Sequence, residues 1–228
     1  MKPYLVVDCY IDHPGGADNF LPRLTNRKYQ SVWASTSPCP TDATQYAGLF
    51  ISGSRASVTD QAPWLERIYA LLRSAYEHDV PTLGVCFGHQ LLAEAICGPG
   101  TVRQAPLGEV GFYDIERTVD DPLFSGFQQQ FRTFCTHFDE VTPDSPGLQI
   151  LAHTPRCPIQ AYRVGQKPLW GVQFHCEMQP EETKTLTWAR IEAHPELETT
   201  PEKEWERFVD CTAIGDRLIN NFLQEAEG

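Results

Sequence analysis

A chain of 228 residues, 41% hydrophobic and 21% charged, is long enough to bury a substantial core and too ordinary in composition for a disordered or fibrous protein. Thirty acidic against 18 basic residues leave a net charge of −12, which repels phosphate backbones and anionic lipid and so argues against nucleic-acid and membrane partners. No window reaches the ~18 consecutive apolar residues of a membrane span, the run Tyr4 to Val7 is too short for a signal-peptide core, and eight cysteines without a Cys-x-x-Cys pair suit free thiols in a reducing cytoplasm better than a disulfide framework or zinc ribbon.

Tyr4 to Cys9 reads as a buried strand running into the turn-rich His13-Pro14-Gly15-Gly16 loop. Val32 to Ser35 and Gly48 to Ser52 read as two further strands, the second meeting a sharp turn at Gly53-Ser54. Between Trp64 and Asp79 the apolar positions Leu65, Ile68, Tyr69, Leu72 and Tyr76 fall at helical spacing behind Pro63, which predicts an amphipathic helix. Pro81 to Val85 is a strand, and Phe87 to Ile96 a helix stopped by Gly98-Pro99-Gly100. This alternation predicts parallel βαβ units and a doubly wound α/β sheet.

The second half changes character. Val110 to Ile115, Arg132 to Thr136, Leu148 to Ala152, Ile159 to Val164 and Leu169 to Phe174 read as successive strands, an antiparallel extension of the parallel sheet. Pro180 opens a helix to about Ala193, and a last helix is expected from about Glu202 to Leu223, burying Trp205, Phe208, Val209, Leu218, Ile219 and Phe222. With no repeat and no long linker, residues 1–228 read as one domain. Residues 181–228 hold 12 acids and 5 bases, which suits a solvated outer helix face.

The chemistry concentrates at Gly84-Val85-Cys86-Phe87-Gly88-His89-Gln90, where a strand enters a Gly-x-Cys-x-Gly turn and a helix leaves it. That is the construction of a nucleophile elbow with sulfur in place of a hydroxyl. Glycines two positions either side leave room for a tight turn that pushes the central side chain outward. A helix N-terminus beside Cys86 favours thiolate over thiol. A thiolate needs a base that can also protonate a leaving group, a role for histidine near neutral pH. Of seven histidines, His175 closes the apolar strand from Leu169 and has Glu177 two residues on. In extended chain, residues i and i+2 share a side, so Glu177 can reach His175 and fix its tautomer, completing a triad. Cys135, His137 and His153 lack any standard metal-ligand spacing, so no metal site is expected.

Together the two segments resemble the class I glutamine amidotransferase family, whose signatures read G-x-C-x-G-x-Q and G-V-Q-F-H-P-E. Here they stand as Gly84 to Gln90 and Gly171-Val172-Gln173-Phe174-His175-Cys176-Glu177. Phe50-Ile51-Ser52-Gly53-Ser54 is similar to the family's oxyanion strand, and Thr136-His137-Phe138-Asp139-Glu140-Val141 to the S-H-x-D-x-V stretch of its guanylate-synthetase branch. The likeness spans residues 4–180 and implies a flavodoxin-like, mostly parallel central sheet flanked by helices. Position by position, it implies Cys86 as nucleophile, His175 as acid and base, and Glu177 as its orienter. It further implies the Gly53 and Phe87 N–H groups as oxyanion donors, and Gln90, Thr136 and His137 as holders of the glutamine. The implied reaction forms a γ-glutamyl thioester and gives glutamate and ammonia, with no metal or organic cofactor.

Three positions depart from the family. Gly53-Ser54-Arg55 replaces Gly-Gly-Pro, Cys176 replaces the proline between the histidine and the acid, and no S-G-G-x-D-S loop of an ATP-pyrophosphatase domain follows. Three functions therefore stand open: a glutaminase delivering ammonia to a separate synthetase subunit, an enzyme hydrolysing larger γ-glutamyl amides or peptides with the same triad, and a non-enzymatic binding module on this fold. A general cysteine peptidase fits Gln90 and the His-x-Glu spacing less well.

Overall fold

The computed structural model describes residues 2–60 and 62–228. One nine-stranded sheet runs through it, built from β1 (Tyr4–Asp8), β2 (Tyr29–Trp33), β3 (Gly48–Ile51), β4 (Thr82–Val85), β5 (Val102–Arg117), β6 (Gln130–Val141), β7 (Leu148–His153), β8 (Ala161–Val164) and β9 (Leu169–Val172). Its order is β2-β1-β3-β4-β9-β8-β7-β5-β6. The first five strands in that order are parallel, and from β9 onward every pairing is antiparallel. The doubly wound sheet with an antiparallel extension is thus present as expected.

Period-two alternation along the buried strands divides the core into two layers. In β1, Leu5 and Val7 face α1 (Leu65–Glu77) and α2 (Phe87–Cys97), packing with Ile68, Leu72 and Leu91. Tyr4 and Val6 face the opposite layer, where Phe50, Trp170 and Phe222 meet under α5 (Thr212–Glu227). The remaining helices, α3 (Pro180–Ala193) and α4 (Pro201–Trp205), cross the antiparallel part. Among the described residues, no helix is long and apolar enough to cross a membrane, and all eight cysteines are free.

Several elements differ from the sequence expectation: β6 runs past both ends of Arg132 to Thr136, β8 starts two residues later than Ile159 and β9 ends two residues before Phe174, and three further departures have a visible cause. β2 starts and ends earlier, at Tyr29 and Trp33, because Thr36 and Ser37 already fold back onto the Trp33 carbonyl. β5 begins eight residues before Val110, passing Pro106 and Gly108 through a register shift between Gln104 and Glu109, an irregularity that tolerates both residues. The expected final helix is two helices. After Trp205 the chain closes tight turns from Arg207 to Glu204 and from Phe208 to Trp205, and Phe208 stacks on Trp205 and meets Phe112 edge-on while remaining 36% exposed. Asp210 then accepts from the Thr212 N–H, which starts α5 afresh.

The sheet also curls. β6 lies at the far end of the hydrogen-bonding order, yet Phe134 in it forms an antiparallel bridge to His175, just beyond the central strand β9.

Candidate active site

Cys86 sits between β4 and α2 with φ 51° and ψ −103°, a backbone conformation rare for a residue with a side chain. Its N–H donates to the Val172 carbonyl at 2.8 Å, which ties the bend to β9, and its carbonyl accepts the first helical bond from Gln90 N at 3.1 Å. The flanking glycines exist for close approach. A Cβ on Gly84 would strike the Gly88 carbonyl, and one on Gly88 would strike the Ile51 carbonyl of β3. Strand, bend and helix are therefore pressed against both neighbouring strands, and Cys86 is 5% exposed.

His175 is carried by the curl. Its N–H donates to the Phe134 carbonyl at 2.7 Å, and its own carbonyl accepts from Thr133 Oγ1 at 2.9 Å. One side chain of β6 and its backbone thus fix the ring's height over the bend. Nδ1 lies 2.7 Å from Glu177 Oε1, both groups being buried, which leaves Nε2 unoccupied by that carboxylate; the Cys86 sulfur contacts the Thr136 carbonyl at 3.8 Å. Burial alone draws the proton off this ring. The neighbouring Glu177 carboxylate, hydrogen-bonded to the ring, and the nearby Cys86 sulfur outweigh it and hold the His175 pKa well above its ordinary value.

Gly53 completes this cluster. A Cβ there would lie 3.0 Å from His175 Cε1 and 3.6 Å from the Cys86 Cβ, so any side chain at this turn would press on the His175 ring. Ser52 Oγ accepts from Cys9 N at 2.9 Å and donates to the Gly53 carbonyl at 2.9 Å, pinning that turn to the end of β1. Neither the Gly53 N–H nor the Phe87 N–H at the start of α2 donates to an acceptor among the described residues. Two free amide donors therefore flank the sulfur.

A cavity of about 250 Å³ opens against Gly53 and His175. Ser54, Arg55 and Thr136 line it together with Tyr10, Ile11, Met178, Glu182, Leu186 and Arg190. The Thr136 Oγ1 is buried without a partner. Arg55, where the family has proline, pairs with Asp12 on the rim.

The other residues singled out from the sequence lie behind this wall. The Gln90 amide is buried and donates to the Asp139 carbonyl and to Gln173 Oε1, both at 3.0 Å. His137 is held between the Asp139 carbonyl at 3.0 Å and Glu109 Oε2 at 2.9 Å. Of the residues singled out, Gly53, Thr136 and His175 line the cavity, while Cys86, Phe87, Glu177, Gln90 and His137 are not among its lining residues; Cys86 touches the lining through its sulfur, 3.8 Å from the Thr136 carbonyl. The ligand atoms of Glu109, His137 and Cys157 come within 4.8 Å of one another. Glu109 is already engaged there by Thr154 Oγ1 at 2.6 Å and by Gln160 Nε2 at 2.5 Å, and the cluster is sealed from the cavity. Cys176 is buried too, which pushes its thiol up, so this second sulfur near the site is held protonated. Sequence reasoning assigns no role to Ser52, although it stands in the Phe50 to Ser54 stretch, and misses Thr133 and Arg190, which belong to no motif.

Comparison with known proteins follows the same lines. Residues 6–190 match the profile of the family described as glutamine amidotransferase class-I. One GMP synthase [glutamine-hydrolyzing] subunit, from Pyrococcus abyssi, is 36% identical over 108 residues, covering 47% of this chain and 56% of that protein. A GMP synthase [glutamine-hydrolyzing] of Parafrankia sp. is 37% identical over 134 residues, 58% of this chain and 23% of that protein. The match thus takes in about half the length of the first relative and less than a quarter of the second. A glutamine amidotransferase of Thermotoga maritima superposes with a TM-score of 0.77 at 21% identity, covering 99% of this chain and 97% of that one. One from Methylobacillus flagellatus superposes at 0.78 and 22% identity, over 100% of this chain and 94% of that one. These structures share the fold.

Proposed function

The chain belongs to the class-I glutamine amidotransferase family, and from that premise we propose that it hydrolyses the side-chain amide of glutamine through Cys86, His175 and Glu177. The observation that carries this reading is the buried relay from Glu177 through His175 to Cys86 beside two free amide donors and a cavity. The Cys86 thiolate attacks the amide carbon, and the developing oxyanion is met by the N–H groups of Gly53 and Phe87, each worth about 3–4 kcal/mol of barrier. The imidazolium of His175 passes its proton to the departing nitrogen, so ammonia leaves and a γ-glutamyl thioester forms on Cys86. The now neutral imidazole takes a proton from water, hydroxide attacks the thioester, and glutamate is released as the thiolate–imidazolium pair returns. Glu177 holds Nδ1–H throughout, which keeps Nε2 on the reacting side. The Pyrococcus relative, named as one subunit of a synthase, supports the reading that the ammonia is handed to a separate synthetase.

A second reading is favoured by the extent of the cavity. It continues past Gly53 to Ile11, Met178 and Leu186, a space that an ammonia leaving group alone does not fill and that a larger γ-glutamyl amide would. Incubation of reduced protein with 6-diazo-5-oxo-L-norleucine, followed by peptide mass spectrometry, tests the shared chemistry. One adduct on Cys86, absent after Cys86→Ser, is expected together with glutamate release from L-glutamine or from a γ-glutamyl dipeptide. No adduct and no release from either substrate would leave only a binding module on this fold.

A further inference from the structure

Arg190 stands in the last turn of α3, on the wall of the cavity that opens against His175 and Gly53. Its guanidinium is half-buried, and its Nε is fully enclosed without a hydrogen-bond partner. No carboxylate among the described residues pairs with it, although acids share the same wall. Asp12 is engaged by Arg55. Glu182 is engaged by the Tyr10 hydroxyl at 3.2 Å and by Asn19 Nδ2 at 3.0 Å. The Phe138 ring lies 5.9 Å from the guanidinium carbon and backs it from the side of β6. Burial, with a smaller push from Arg55 on the same cavity, pulls the Arg190 pKa down.

An arginine that remains charged at any physiological pH, partly removed from water, unpaired and facing a cavity is a ready partner for a carboxylate, which its planar fork accepts in two parallel bonds. The acids nearby are held elsewhere by named donors, so the carboxylate has to come from outside the chain. A γ-glutamyl substrate brings one on its own α-carbon, and a γ-glutamyl peptide brings a second on its leaving group.

Resting on the glutamine-hydrolysis reading above, we infer that Arg190 anchors a carboxylate of the substrate inside the cavity and so determines which amides the thiolate can reach. It acts in binding and touches no reacting atom. α3 comes from the stretch beyond His175, so this specificity element lies outside both motifs that carry the family chemistry.

Calorimetric titration of Cys86→Ser protein, with and without Arg190→Met, tests this independently of turnover. Four probes separate the sources: L-glutamine, 4-aminobutanamide, which lacks the α-carboxylate, γ-L-glutamylmethylamide and γ-L-glutamylglycine. If the anchor holds the α-carboxylate, R190M weakens L-glutamine and γ-glutamylmethylamide by roughly 10- to 150-fold, the range of one charged hydrogen-bonded contact, and leaves 4-aminobutanamide unchanged. If it holds the leaving-group carboxylate, the same loss falls on γ-glutamylglycine alone. Arg190→Lys restores part of either loss. Affinities that R190M leaves unchanged, or lowers equally for all four probes, overturn the inference, as does failure of all four to bind the parent Cys86→Ser protein. A Cys86 that still takes the diazo-norleucine label in R190M protein shows that such a failure belongs to Arg190 and not to the proposed chemistry.

Discussion

Glu177→Gln is the substitution that most directly interrogates the relay. The carboxylate Oε1 accepts the hydrogen bond from His175 Nδ1–H at 2.7 Å, while Oε2 is buried without a partner. A glutamine that keeps its oxygen toward Nδ1 loses a charged hydrogen bond, about 1.5–3 kcal/mol, or roughly 10- to 150-fold in kcat/KM. It must also bury an NH₂ at the empty Oε2 position. Turning the amide over satisfies nothing better, because the NH₂ then donates to Nδ1 and forces the proton onto Nε2. Serine proteases with the corresponding Asp→Asn change lose about 10⁴-fold for that reason, so the expected loss lies between about 10- and 10⁴-fold. The pH dependence moves as well. Burial lowers the His175 pKa, but Glu177 and Cys86 raise it well above 6.5. Removing Glu177 removes a raising influence, so the alkaline limb of kcat/KM, where the imidazolium loses its proton, shifts to lower pH. Linkage gives the sign for stability. A group whose pKa is raised on folding contributes in full below its unfolded value of about 6.5 and loses that contribution as pH rises through the folded value. The stability gap between parent and E177Q is therefore widest below about pH 6.5 and narrows above it. Glutamate release across pH 5.5 to 9.5 and urea unfolding at the same pH values measure both effects. A variant within twofold of the parent, with an unmoved alkaline limb, would refute the coupling of Glu177 to His175.

Two glycine substitutions separate site from scaffold. Gly53→Ala places a methyl group 3.0 Å from His175 Cε1, so kcat should fall at least about tenfold while the melting temperature moves by only a few degrees; a wild-type kcat would show that the ring is not held against this turn. Gly88→Ala drives a Cβ into the Ile51 carbonyl, and a loss of about 2–4 kcal/mol is expected in urea unfolding, with a change under 0.5 kcal/mol counting against the close packing of α2 on β3.

The parts legible in the sequence are those where local chemistry and global position agree. Gly84 and Gly88 announce the bend because no side chain fits there, and the spacing of Leu65, Ile68 and Leu72 announces α1 because one face is buried. The early half of β5 is hidden by Pro106 and Gly108, which a shifted register accommodates without leaving the sheet. The break after Trp205 is hidden because Phe208 and Val209 fit a helical pattern, yet aromatic stacking on Trp205 and Phe112 folds the chain back. Gln90 and His137 stand in recognisable motifs, but which wall a side chain faces depends on Asp139 and Glu109, whose proximity is tertiary. Arg190 has no motif at all. Its interest comes from what fails to pair with it, a property that exists only once α3 is docked.

The bridge from Phe134 to His175 has a topological meaning. The sulfur at position 86 belongs to a βα unit of the parallel half, whereas its imidazole is held in place by the outermost strand where that strand wraps back across the middle of the sheet. Sulfur and imidazole are thus brought together by the closure of the sheet as a whole, and a molecule in which that wrap is undone keeps the bend without the ring above it.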